Sequence, residues 1–328
     1  MKTSWWYKVK AVLSAPKSQT PTPVVPHSSA AVVTPIVREP FTPRDSVTRY
    51  VQCISSAGLH RMAYSAWGDP SNPKVLLCVH GLTRRGSDFA VLARAMSDRY
   101  YVVCPDVVGR GNSDGLANPM LYGVPQYVSD MVTLIAHLQP QQLDWFGTSM
   151  GGLIGMVLAG IDQQPIRKLL LNDVGPRIDP AFFIRLMQYL SKPVVFDTQE
   201  KGLEYANLLT TTFGRHTPEQ LRELNLPQIV YKDGAWRLHY DPQINAPIMA
   251  TNPMTALAGE KALWQSFDAI KIPTLIVRGA ESDLLAPATV AEMCQRNRNA
   301  TAIEVPEAGH APAFILPNQL QIARDFFQ

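Results

Sequence analysis

The segment Leu143-Asp144-Trp145-Phe146-Gly147-Thr148-Ser149-Met150-Gly151-Gly152 holds the residues best suited to chemistry. An apolar strand pattern runs into Gly-x-Ser-x-Gly and straight on into a helical run from Leu153 to Ile161. That is the pattern of a nucleophile elbow, a turn so tight that positions 147 and 151 have no room for side chains while Ser149 sits strained with its hydroxyl exposed. The N-terminus of the following helix would aim free N–H groups and the positive end of its dipole at the point where an oxyanion forms.

A serine hydroxyl needs a base, and the base needs an orienting carboxylate. Both lie downstream in the order Ser, Asp, His. Ile272 to Gly279 reads as a buried β-branched strand, and the loop Gly279-Ala280-Glu281-Ser282-Asp283 leaves its C-terminal end, so Asp283 is the expected acid, with Glu281 a weaker rival. A further strand, Thr301 to Pro306, leads into Glu307-Ala308-Gly309-His310, which makes His310 the expected general base. Among the seven histidines only His80 and His310 directly follow a strand, and His27, His60, His137, His216 and His239 read as surface or structural groups. Asp173 is the alternative acid, because it too ends a strand, Arg167 to Asp173; otherwise it is a turn acceptor within Asn172-Asp173-Val174-Gly175-Pro176.

The strand Lys74 to Val79 ends in His80-Gly81-Leu82. Gly81 lets the chain close over the site, so the N–H of Leu82 can face the oxyanion together with that of Met150, while His80 is expected to hold the loop by hydrogen bonds. The turn Gly109-Arg110-Gly111 after the strand Tyr101 to Pro105 has neither the Lys-Ser/Thr ending of a phosphate loop nor a third glycine opening a helix, so no nucleotide site is expected.

With His80-Gly81, Pro105-Asp106, Gly109-x-Gly111-x-Ser113, Gly147-x-Ser149-x-Gly151-Gly152, Asp283 and Gly309-His310 in this order, the chain from residue 47 to 328 resembles the serine hydrolases of the α/β-hydrolase superfamily. The resemblance is closest to the bacterial group of carboxylesterases, lactonases and carbon–carbon bond hydrolases of ring-cleavage products. It implies a mainly parallel eight-stranded sheet flanked by helices, a site at the C-terminal ends of the strands, and no cofactor.

The residue pattern points independently to an α/β fold, since short apolar runs alternate with helical periods such as Phe89, Leu92, Ala93, Met96 and Met131, Leu134, Ile135, Leu138. With 46% hydrophobic residues in 328, one large core can be buried, so residues 46–328 are expected to form a single catalytic domain. The stretch from about 176 to 254 breaks the strand–helix rhythm and reads as a helical lid. Its apolar and aromatic residues, Phe182, Phe183, Leu186, Met187, Tyr189 and Leu190 first among them, pack its own underside in the main and line an apolar pocket in part. Arg177, Arg185 and Arg215 are candidates to bind a substrate carboxylate, against the plainer reading of solvated surface cations.

Residues 1–45 are rich in Pro, Ser, Thr and Val and read as an unpacked tail. Trp5, Trp6 and Tyr7 beside Lys2, Lys8 and Lys10 could rest weakly on an anionic membrane surface, but lysines interrupt every apolar run, so neither a secretory signal nor a membrane span is expected. A formal net charge of +3 gives no reason to expect nucleic acid as a partner. The four cysteines, at 53, 78, 104 and 294, lack metal-ligand spacing and read as reduced residues of a cytoplasmic protein with no metal. No motif sets an oligomeric state. The expected activity is hydrolysis of a small to medium hydrophobic ester through an acyl-enzyme, with carbon–carbon hydrolysis or lactone opening as alternatives and a non-catalytic binding protein as the rival from another class.

Overall fold

Strands covered on both faces must be short and almost wholly apolar, and the central strands here are. The computed structural model describes residues 46–190 and 193–328, so the calls on the tail, Trp5 to Tyr7 included, lie outside the described residues. The strands are β1 (Val47–Ser55), β2 (Gly58–Trp67), β3 (Lys74–Val79), β4 (Tyr101–Pro105), β5 (Gln142–Thr148), β6 (Ile166–Asn172), β7 (Val195–Phe196), β8 (Ile229–Lys232), β9 (Ala235–Leu238), β10 (Thr274–Gly279) and β11 (Ala300–Val305). Eight of them form one sheet in the order β1-β2-β4-β3-β5-β6-β10-β11. β2 runs antiparallel to both its neighbours, and the strands from β4 to β11 are parallel. This is the mainly parallel eight-stranded sheet that the resemblance implies.

Helices α1 (Ala90–Met96), α2 (Val124–Leu138), α3 (Met150–Ala159), α4 (Pro180–Leu190), α5 (Gln199–Leu209), α6 (Pro218–Asn225), α7 (Ala246–Met249), α8 (Pro253–Ala269), α9 (Pro287–Arg296) and α10 (Pro317–Phe326) complete the order. Successive side chains of a strand face opposite ways, and β5 shows the result. Leu143 and Trp145 join a core built with Met131 and Leu134 of α2, Ile154 of α3, and Trp264 and Phe267 of α8. Phe146 points into the other core, with Leu92 and Met96 of α1 and Ala323 of α10. Burying each such large side chain contributes roughly 2–3 kcal/mol, so β5 is pinned from both sides and its C-terminal turn inherits that rigidity.

The segment between β6 and β10 departs from the strand–helix rhythm, as expected, but it is not purely helical. Alongside α4 to α7 it forms a three-stranded antiparallel sheet, β7-β9-β8. Its β8–β9 hairpin turns on Asp233 and Gly234, both at positive φ (51° and 77°), the mirror-image turn that Asp-Gly favours.

The inserted segment is tied to the main sheet at three loops. Arg84 donates to Asn225 Oδ1 (3.0 Å) and to the Leu224 carbonyl, and Arg85 to the Pro227 carbonyl (3.0 Å). His239 Nδ1 accepts from the Gly111 N–H (2.8 Å), and Tyr122 donates to Asp241 (2.7 Å). Thr212 accepts the Gly309 N–H on its carbonyl (2.7 Å) and donates its hydroxyl to the His310 carbonyl (2.7 Å). No helix of the described residues is long and apolar enough to cross a membrane.

Candidate active site

The elbow predicted at Ser149 is formed by the join of β5 and α3. Ser149 has φ 53° and ψ −117°, a conformation that costs a non-glycine residue on the order of 1–3 kcal/mol and is held here by the packed strand and helix on either side. The two glycines are steric necessities: a Cβ at 147 would lie 2.4 Å from the Gly151 carbonyl oxygen, and one at 151 would lie 1.9 Å from that of Val79. The Ser149 N–H donates to the Asn172 carbonyl (3.0 Å), which ties the elbow to the end of β6.

Folding brings His310, 161 residues away, beside this serine, with Nε2 3.0 Å from Ser149 Oγ. The other ring nitrogen, Nδ1, lies 2.8 Å from Asp173 Oδ2. A carboxylate can only accept, so Nδ1 carries the proton and the neutral ring presents an acceptor at Nε2 to the serine hydroxyl. Asp173 is fully buried at the end of β6, where Oδ1 accepts the Gly279 N–H (2.9 Å) and Oδ2 also accepts the Ser282 hydroxyl (2.7 Å). Three donors converge on one carboxylate and fix its orientation.

Asp283, the favoured acid, is not the residue that meets His310; the alternative, Asp173, is. Asp283 is about half exposed and its carboxylate takes a guanidinium N–H of Arg185 (2.5 Å). The physical reason lies in the loop after β10. Leu284 and Leu285 are buried, and the Ser282 hydroxyl turns inward to accept the Leu285 N–H (3.1 Å) while donating to Asp173, which leaves Asp283 on the outer side of the turn. Ser282 thus supports an acid housed on the neighbouring strand.

Leu82 and Met150, the expected oxyanion donors, each directly follow a residue of the elbow region, Gly81 and Ser149. A Cβ at Gly81 would sit 3.6 Å from Ser149 Cβ, so the chain passes closely over the elbow there, and Met150 opens α3. Among the described residues neither the Leu82 nor the Met150 N–H has an acceptor. His80 is fully buried, donating from Nδ1 to the Gly81 carbonyl (2.7 Å) and accepting the Val107 N–H at Nε2 (2.9 Å). Burial first, with the cations of Arg110, Arg85 and Arg84 adding, pushes its imidazole down to about 3, so it stays neutral and acts as a loop brace. Its bond to Gly81 lands on the same peptide unit whose N–H belongs to Leu82, and hydrogen-bonding a carbonyl polarises the N–H of that unit.

Arg110 carries a role that the sequence did not announce. Its guanidinium is fully buried, donating to the carbonyls of Leu82 (2.9 Å) and Val108 (2.7 Å) and to the Tyr127 hydroxyl (2.9 Å), and it lies 3.6 Å from Met150 Sδ. Among the described residues no carboxylate pairs with it. A buried cation therefore sits against the Leu82 carbonyl and the Met150 side chain. Its only sequence signal is a basic residue between two turn glycines, which is indistinguishable from a surface turn.

The three insertion arginines separate clearly. Arg177 is held by Glu260 and Glu292 and Arg215 is almost fully exposed beside Glu307, whereas Arg185 stacks over Phe182, whose ring centre lies 5.2 Å from that of His310. All four cysteines are free thiols. One buried trio, Cys53, His60 and Asp130, has its donor atoms within 4.8 Å of one another. It joins β1 and β2 to α2 at the opposite edge of the sheet from His310. Burial first and then Asp130 push the Cys53 thiol up to about 12, and His60 bonds Asp130 at 3.1 Å.

Comparison with known proteins bears on the fold and the family. The sequence profile of the alpha/beta hydrolase fold matches residues 74–315. The chain is similar to a 3-hydroxybutyrate-oligomer hydrolase of Cupriavidus necator, 58% identical over 282 residues that cover 85% of this chain and 96% of that protein. It is more distantly similar to the 3-oxoadipate enol-lactonase 2 of Acinetobacter baylyi, 27% identical over 75% of this chain and 85% of that one. A solved structure of an alpha/beta hydrolase from Novosphingobium aromaticivorans superposes with a TM-score of 0.73 at 31% identity, covering 85% of this chain and 97% of its own.

Proposed function

Because this chain belongs to the α/β-hydrolase family and is a hydrolase, we propose that it cleaves short ester-linked oligomers of 3-hydroxybutyrate type through an acyl-enzyme on Ser149. The observation that carries the reading is the unbroken relay from Ser149 Oγ through His310 to Asp173, at 3.0 and 2.8 Å. The identity of more than half the residues to the Cupriavidus necator hydrolase supports the substrate class.

In this reading His310 Nε2 takes the serine proton as Oγ attacks the ester carbonyl, and Asp173 stabilises the imidazolium and holds the tautomer. The N–H groups of Leu82 and Met150 receive the oxyanion, and each such donor is worth on the order of 3 kcal/mol in the transition state. Arg110 and His80 hold the Leu82 segment from its two sides. His310 then protonates the leaving alcohol, and a water deprotonated by His310 frees the acid. The inserted segment serves as a lid over this cleft, with Phe182 against His310. A lactone is an ester too, and the same sequence of steps opens it.

Ser149→Ala tests the proposal. Loss of several orders of magnitude in kcat on both p-nitrophenyl butyrate and the linear 3-hydroxybutyrate dimer is expected, with loss of labelling by a fluorophosphonate probe and unchanged circular dichroism. Turnover near the parent rate by this variant would refute it.

A further inference from the structure

Where the leaving group departs is set by the residue that protonates it. In serine acyl transfer the nitrogen that accepts the serine proton passes it to the leaving oxygen, so the alcohol half of the substrate must emerge on the His310 side of Ser149. On that side stands Phe182, its ring 5.2 Å from the imidazole and nearly perpendicular to it at 78°. Three residues on, one turn along α4, the Arg185 guanidinium carbon lies 5.7 Å from the centre of the Phe182 ring. Resting on the proposed esterase reading, we propose that Arg185 anchors a free carboxylate borne by the leaving alcohol, so that the enzyme cuts next to the carboxyl end of an ester oligomer and releases a hydroxy acid.

Reach supports the assignment. The two ring contacts bound the guanidinium at no more than about 11 Å from the imidazole, and each 3-hydroxy acid unit adds four chain bonds, roughly 5 Å when extended. A terminal carboxylate one or two units beyond the scissile carbonyl therefore falls within the arc of a flexible arginine side chain. Chemistry supports it as well. Arg185 is about one-third exposed, gives Asp283 a single N–H through Nη2 at 2.5 Å, and has no other hydrogen-bond partner among the described residues. The remaining N–H groups suit a planar, two-pronged carboxylate, and the aromatic ring beneath excludes water from one side. Arg177, by contrast, already holds two carboxylates, and Arg215 stands in open solvent.

The test compares the linear 3-hydroxybutyrate dimer as its free acid with the same dimer as its methyl ester, in the native protein and in Arg185→Gln and Arg185→Lys. The ratio of kcat/KM for acid over methyl ester is read within each protein, so a general loss of activity cancels. The native ratio is expected to exceed one by about 10- to 100-fold, carried by KM, as one charge-assisted hydrogen-bonded pair would give. It should shrink in high salt, fall towards one in Arg185→Gln, and be partly kept in Arg185→Lys. A native ratio near one, or an unchanged ratio in a correctly folded Arg185→Gln protein, overturns the anchor. If p-nitrophenyl butyrate is cleaved but neither dimer is, the anchor and the oligomer substrate class fail while the acyl-enzyme on Ser149 stands; if nothing is cleaved, that acyl-enzyme fails first.

Discussion

Exchanging the two aspartates for asparagine, one at a time, puts the acid to a direct test. Asp173 accepts from Gly279 N–H on one oxygen and from Ser282 and His310 on the other. In Asp173→Asn only one oxygen remains. If it faces Gly279, the amide NH2 meets His310 Nδ1, which must then give up its proton, so Nε2 carries it and points a donor at Ser149. If the amide is flipped, the NH2 meets the buried Gly279 N–H, and two donors oppose each other without water. The first arrangement is the less costly, and it removes the base. A wrong-tautomer imidazole costs about a thousand- to ten-thousandfold in kcat, or about 4–5.5 kcal/mol of barrier. Asp283, whose carboxylate meets Arg185 instead, should cost no more than about threefold in kcat on a neutral p-nitrophenyl ester when changed to Asn, as surface charge changes usually do. Steady-state kinetics at neutral pH, with circular dichroism as the folding control, reads both. A severe loss in Asp283→Asn with near-parent activity in Asp173→Asn would refute the relay described here.

Arg110→Met leaves the carbonyls of Leu82 and Val108 and the Tyr127 hydroxyl without their donor, and should lower stability by about 3 kcal/mol or more in urea unfolding; a loss under about 1 kcal/mol would show that the guanidinium is not what satisfies them. Gly151→Ala would press its methyl to 1.9 Å from the Val79 carbonyl oxygen, and should leave little soluble folded protein on expression; a normally folded variant would contradict the tightness of the elbow. Acid should destabilise the fold through its buried neutral imidazoles. His80 is held down to about 3 and His239 well below its usual value, in each case by burial first, while in the unfolded chain both accept a proton near 6.5. Their contribution is therefore fully present above about pH 6.5 and is lost on acidification, by up to about 1.4 kcal/mol per pH unit for each ring. Urea midpoints measured from neutral pH down to about pH 5 should fall, and a flat or rising profile would refute the argument.

Ser149, Gly147 and Gly151 were legible because a tight turn between two packed elements admits few residue types, and the order of types survives in the sequence. His310 was legible as a polar residue just past an apolar strand. The acid was ambiguous for a physical reason: β6 and β10 are adjacent and a carboxylate follows the C-terminal end of each, so strand pattern alone does not decide between them. The choice is made by which way a five-residue loop turns its side chains, and that depends on the burial of Leu284 and Leu285 and on a serine hydroxyl, none of which has a periodic signature. The small inserted sheet escaped notice although Asp233-Gly234 marks its hairpin, because its strands are two to four residues long and lack a full alternation. Arg110 was invisible for the opposite reason, since a buried arginine looks like an exposed one until the groups around it are known.

The ties at Arg84 and Arg85, at Gly111 and Asp241, and at Thr212 have a mechanical consequence. A segment fastened at three loops resists turning about any one of them, because such a rotation strains the other two attachments. With the segment covering the site as proposed, passage to the serine should depend on side-chain rotamer changes on the nanosecond scale rather than on slow domain motion. Bulk solvent viscosity should then matter little to turnover, and access becomes a property of the few side chains packed beside His310, Phe182 among them.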